Sequence, residues 1–538
     1  ISGPFTVNKS AGTASIASGL NLTTGSTCDV VAGTFGINGR TFTCGSTFTV
    51  EDGGVLQRFG TSGELLTTPT LNSGSTVTYT GDGDSAADTI TITTMAATYH
   101  HLTINSTDGA TDTFQLGSAL DVNGLLTLTA GTFDVSSTVY GITVGGGWTD
   151  TGAGTFTERT GTVTFDGTGT VNSNEAFNNI IVSAGTLTVS TNSLSTGGTL
   201  TVSGGTLDMN GIAGTVTGTT TISSGTYTAG AGTQTFNGAL TISGGTLTGS
   251  SGTVDINNTL SLSSGAFTAP SSSGTLAISG NFAISGGTFT HNSGTITFDG
   301  SSDAQTLNAG GASINNVSHS GAGTLQLTSN GVTVGGTLTN SSGTYDANGL
   351  ATTITGLATV SGGTYTASTA TQTFNGGLTI SGGTFTSSSG AISTTTLTVS
   401  SGTFTASSGT ITPSSSMTVS GGTYTAGSGT LTTPSLTVSG GTFTGSSGTV
   451  DINGAFTVSS GTFTAPSSSG SLTLSGNFAH SGGTFTHNSG TVTLDGSDQT
   501  ISGSSTFNNL SKTVTTARTL TFTTGTTQTV GGTLTLKG

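Results

Sequence analysis

Carboxylates are the groups in this chain best suited to chemistry, and they occur in two kinds of place. Asp82, Asp84 and Asp88 crowd the stretch G-D-G-D-S-A-A-D. Oxygen ligands set close together in a glycine-bearing loop suit a hard cation such as calcium. The spacing falls short of a full calcium loop, and a solvated turn accounts for it equally well; no other cofactor is expected. The remaining candidates recur: Asp166, Asp299 and Asp495 each sit in a D-G turn, and Asp255 and Asp451 each in V-D-I-N. Paired carboxylates could hydrolyse glycosidic bonds. A catalytic site is normally a single break in a pattern, whereas these carboxylates are the pattern, so no enzyme activity is expected. The histidines fall at 100, 101, 291, 319, 480 and 487, and His291 and His487 are one repeated position. His100 and His101 could take a metal, but no Ser–His–Asp arrangement can be argued from scattered repeats.

What must position these groups is a repeat. Ser-Gly-Gly-Thr or Ser-Ser-Gly-Thr, then an aromatic or Leu, returns with that apolar residue at Leu187, Leu207, Tyr227, Leu247, Phe267 and Phe289. It returns again at Tyr345, Tyr365, Phe385, Phe404, Tyr424, Phe443, Phe463 and Phe485, in steps of 19, 20 or 22 residues. A period near 20 with strand-like content means one coil of a stacked solenoid per repeat. Within Ser439–Val458, alternation puts Phe443, Val450, Ile452, Phe456 and Val458 on one face and Thr442, Thr444, Thr449, Asp451 and Thr457 on the other. The fold expected is all-β: a single long parallel β-solenoid with three short strands per coil, right-handed. Tyr365, Phe385, Phe404, Tyr424, Phe443, Phe463 and Phe485 should then superimpose as an internal ladder.

Residues 1–70 are less regular and read as N-terminal coils or a docking region; 71–538 read as the solenoid proper. Cys28 and Cys44 lie 16 apart, close to one coil, which would bring them together on adjacent rungs. A disulfide is expected, with two buried thiols as the plainer alternative. Larger duplications overlie the coils. Residues 243–300 and 439–496 are near copies, T-Q-T-F-N-G occurs at 233 and 371, and a third signature runs from Phe165, Phe298 and Leu494 as F-D-G or L-D-G followed by N-N.

Of 538 residues only 6% are charged, with 23 acidic against 7 basic groups and a net charge of −16. No Lys or Arg lies between Arg159 and Lys512. Nucleic-acid binding needs clustered cations to neutralise phosphates and is excluded; anionic membrane surfaces are disfavoured likewise. No run of 18 apolar residues predicts a membrane-crossing helix. A chain that starts at Ile1 without a signal-peptide pattern fits a processed secreted protein or an excised fragment.

The pattern S-G-G-T-F-T, G-T-V-T-F-D-G, Q-T-I-S-G and F-N-N-L resembles the Gly/Ser/Thr-rich parallel β-helix repeats of very large bacterial surface proteins, over about residues 75–538. That resemblance implies a secreted adhesin or surface fibre. The expected role is structural and extracellular: a subunit stacked end to end into a filament, with itself as partner and cell-surface or matrix components as others. The alternative is the stalk of a larger adhesin. A third reading rests on Thr-x-Thr pairs such as Thr226/Thr228 and Thr364/Thr366, since flat Thr arrays on solenoids can bind ice; Thr on all three faces argues for plain strand propensity instead.

Overall fold

A computed structural model describes the chain except residues 94, 96–97, 109–110 and 302–303. It is a parallel β-solenoid of about 26 turns roughly 20 residues apart, with no α-helix among the described residues. Two compact units divide the chain: Ile1–Gly274 with Gly286–Thr290, and Thr275–Ser285 with His291–Gly538.

In the first unit the repeat is a stacking column. Leu187, Leu207, Tyr227, Leu247, Phe267 and Phe289 are successive partners in one parallel ladder. Three strands make a coil there: Leu200–Val202, Thr206–Asp208 and Gly214–Val216 pair with Thr220–Ile222, Thr226–Thr228 and Gln234–Phe236, respectively. Residues 1–70 coil in the same way. Phe5–Ser15 pairs with Cys28–Gly36, and Gly54–Arg58 pairs onward with Thr76–Tyr79, so the ladder passes through residue 70 without a break.

The second unit holds the most regular stretch. Tyr345, Tyr365, Phe385, Phe404, Tyr424, Phe443, Phe463 and Phe485 pair in sequence, with neighbouring ring centroids 4.7–5.9 Å apart and planes within 5–24° of parallel. Aromatic pairs left to themselves favour offset or edge-on contacts. Here the hydrogen-bonded spacing of strands, about 4.8 Å, sets the separation, and the rings stack in near-parallel planes. Within Ser439–Val458 the five apolar side chains are buried and their neighbours half-exposed, because the side-chain period of a strand is two.

Length differences are absorbed at corners, leaving the register of the strands intact. Three residues separate Phe374 from Leu378, but only Thr395 and Thr396 separate their partners Thr394 and Leu397, giving a 19-residue step. The 22-residue step to Phe485 adds its two residues between Thr464 and Ser471, around Pro466. One corner requires glycine. Gly402 has φ +57°, and a Cβ there would lie 2.2 Å from the Gly383 carbonyl oxygen of the coil beneath.

Candidate functional site

The acidic loop is built from two coils rather than one. Asp82, Asp84 and Asp108 bring carboxylate oxygens within 4.8 Å of one another. Asp88 is not the third member: it lies further round the loop, and its amide donates to Asp112 Oδ1 at 3.3 Å. The period explains the exchange, because a residue about 25 positions on lies directly over the loop, whereas one four positions on has already turned away. Asp108 braces that loop, accepting from the Gly83 amide (3.2 Å) and the Ser85 amide (3.1 Å). Asp84 accepts from the Ala86 amide at 2.7 Å. The carboxylates thus already serve as caps for turn amides, and their remaining lone pairs are those a hard cation would use. Beside them Asp112 is buried and takes a hydrogen bond from Ser106 Oγ at 2.8 Å; burial raises its carboxyl above the usual range.

His100 and His101 act as staples between coils. His100 Nδ1 accepts from the Gly74 amide (3.0 Å) and His101 Nδ1 from the Leu125 amide (2.9 Å), with the rings edge to face at 4.4 Å. Burial first, and His100 second, depress the His101 imidazole. His291 and His487 play one repeated part, each accepting from an amide two residues on, Ser293 or Ser489, at 3.0 Å. Asp299 and Asp495 form another repeated pair, accepting from the Ser279 and Ser475 hydroxyls of the preceding coil at 2.7 and 2.8 Å. These four repeated side chains are thus engaged in hydrogen bonds of the fold itself.

Cys28 and Cys44 are joined as a disulfide with their Cα atoms 6.1 Å apart. They lie on adjacent rungs, as their spacing suggests, but not one above the other: Cys28 stacks on Phe48 and Cys44 on Thr24, so the bridge crosses a corner.

Several interior polar groups escaped sequence reasoning. Arg58 and Glu64, both buried, pair at 2.9 Å; Glu64 also accepts from the amides of Gly39, Phe59 and Gly60, and the guanidinium lies 5.1 Å from the Tyr79 ring centre. Gln234 and Gln372, from the duplicated T-Q-T-F-N-G, point inward. Tyr227 and Tyr365 hydroxyls donate to their side-chain oxygens at 2.6 and 2.9 Å. A tyrosine seven residues before an isolated Gln was the available signal.

On the exterior, two open grooves of about 630 and 350 Å³ share Asn123. Tyr99, His100 and Ser73 line the larger, and Asp121, Asp166, Thr143 and Thr164 the smaller. Asp121 is raised above the ordinary carboxylate range by burial and then by Asp166. Such a trough could take a hydroxyl-rich molecule, but the tyrosine facing it is buried and offers no stacking surface.

Threonine forms long ordered ranks. Nine threonines from Thr324 to Thr484 pair in one unbroken ladder, and seven from Thr366 to Thr486 run beside it, flanking the aromatic column. Another face carries one outward Thr rank, Thr339 through Thr457. Only the Thr-x-Thr strands present two.

Compared with protein families, curated proteins and solved structures, the chain gives no match. What is established is the architecture: a Gly/Thr-rich parallel β-solenoid repeat fold.

Proposed function

We propose that this chain is an extracellular structural protein, a subunit that stacks end to end into a filament or surface fibre. The observation that carries the reading is the regular interior of the second unit, where eight aromatic side chains from Tyr345 to Phe485 stack in one column. Coils that bury a continuous core only by stacking on one another build a long, quasi-one-dimensional body rather than a pocketed one. A fibre needs a stiff interior more than a reactive site, and the aromatic column supplies it. A disulfide-bridged coil suits an oxidising, extracellular setting.

Electron microscopy of the purified full chain at rising concentration tests this. Filaments repeating at one subunit length are expected. Short particles at every concentration count against polymerisation. They would instead favour a stalk in a larger bacterial surface adhesin, a reading supported by the duplicated blocks 243–300 and 439–496 that lengthen the solenoid.

The paired Thr ranks favour a second reading, ice binding by a flat hydroxyl-and-methyl array. Thermal hysteresis that is lost on Thr405→Tyr supports it; no hysteresis in the parent chain eliminates it.

A further inference from the structure

Two coils of the second unit are related as copies, and one interior position changes from a cationic to a shorter side chain. In one, Gln499 Nε2 donates to the carbonyls of Leu474 (2.8 Å) and Gly476 (2.7 Å), and the Thr500 amide donates to Asn477 Oδ1 (2.8 Å). In the other, Gln305 Nε2 donates to the carbonyls of Ile278 (2.8 Å) and Gly280 (3.0 Å), and the Thr306 amide to Asn281 Oδ1 (2.8 Å). The strands that follow read N-N-L-S-K, ending at Lys512, and N-N-V-S-H, ending at His319. Leu510 pairs with Val492 and Val317 with Ile296, so Lys512 and His319 occupy equivalent sites.

Lys512 shows what the site is made for. It is buried, and Nζ donates to the Gly496 carbonyl (3.0 Å), the Ser497 carbonyl (2.9 Å) and Gln499 Oε1 (2.6 Å). These acceptors cage an ammonium group.

His319 is also fully buried but shorter. Its Nδ1 lies 2.7 Å from Asn340 Oδ1. Asn340 Nδ2 donates to the carbonyls of Thr364 (2.9 Å) and Gly362 (3.4 Å), which fixes the amide oxygen towards the ring. The proton of the neutral imidazole therefore sits on Nδ1, and Nε2 presents a lone pair. Burial holds the imidazole below its ordinary pKa, which keeps it in that form. Nε2 and Gln305 Oε1 are both buried, both acceptors, and both without a partner among the described residues. Two acceptors cannot satisfy each other. Buried polar atoms of native proteins are paired, often through a small bound molecule.

We propose that His319 Nε2 and Gln305 Oε1 form a binding site for one small guest of ammonium size that donates at least two hydrogen bonds. It takes the position that the Lys512 ammonium group holds in the second copy. Water and the ammonium ion share this chemistry. Either would tie the strand Asn316–His319 to the strand Gln305–Asn308 through the interior, as Lys512 ties Asn509–Thr513 to Gln499–Ser502.

The test is a crystal structure of the full chain that resolves bound water, from ammonium-free and ammonium-containing solutions. A density peak within hydrogen-bond distance of both atoms is expected. Melting in ammonium chloride against sodium chloride then assigns the guest: a higher Tm in ammonium alone identifies the ion, and equal values identify water. No peak, or direct contact between Nε2 and Oε1, overturns the proposal. In His319→Lys the new ammonium group should displace the peak and bond Gln305 Oε1; a peak retained beside a lysine turned elsewhere also overturns it. Nitrogen NMR of labelled histidine gives a solution check, expecting a protonated Nδ1 and a hydrogen-bonded Nε2. A Nε2 shift typical of a free acceptor refutes the site.

Discussion

Replacing Phe404 with alanine interrogates the interior column most directly. The ring is fully buried between Phe385, 4.7 Å away at 8°, and Tyr424, 5.1 Å away at 24°. Truncating a buried Phe to Ala costs about 3–5 kcal/mol, and each aromatic contact adds about 0.5–1.5 kcal/mol beyond its buried area. Backbone spacing pins the neighbouring coils, so little collapse into the cavity can occur and the cost should lie near the upper end. In a solenoid each repeat touches only its neighbours, so the loss should be local. Hydrogen exchange followed by mass spectrometry reads this coil by coil. A loss of about 4 kcal/mol corresponds to roughly 10³-fold faster exchange in strands Thr384–Thr386, Thr403–Thr405 and Thr423–Thr425. Protection around Leu187–Leu247 should stay unchanged. Thr405→Ala, on the exposed face of the same strand, is the control and should alter stability by no more than about 0.5 kcal/mol. Equal effects from the two variants, or faster exchange spread evenly over the chain, would falsify the stacked-column account.

Further outcomes follow from other interior groups. Burial raises the phenols of Tyr79, Tyr99, Tyr227, Tyr345, Tyr365 and Tyr424. A raised folded-state pKa means stability is whole below the unfolded value near 10 and declines as pH climbs above it; ultraviolet titration should find these six still protonated at about pH 11. Glu64→Gln leaves Arg58 buried without its charge partner and should cost about 3–5 kcal/mol, measured by urea unfolding; a loss below about 1 kcal/mol would mean the pair is solvated. Reducing Cys28–Cys44 removes a cross-link over a loop of 16 residues, worth about 3 kcal/mol. The loss should surface as protease cleavage within the first coils, with Tyr345–Phe485 resistant as before. Gly402→Ala combines positive φ with a carbonyl in the way and should destabilise by at least about 1–3 kcal/mol; a neutral effect in thermal melts contradicts the tight corner.

The architecture was written in the sequence because a strand alternates with period two and a coil repeats with period twenty. Those two periods fixed which side chains face inward, and Phe385, Phe404, Tyr424 and Phe443 superimpose as their spacing requires. Neither period carries information about polar groups that meet from different coils. Asp108, not Asp88, completes the acidic cluster because stacking joins residues about 25 positions apart that no local pattern links. The disulfide crosses a corner, since Cys44 lies where one face ends and the next begins. His319 is one of several scattered histidines in the sequence, and its burial arises because N-N-V-S-H continues an alternation that turns its last residue inward. Periodicity determines direction; only the closed coil decides which groups then find one another.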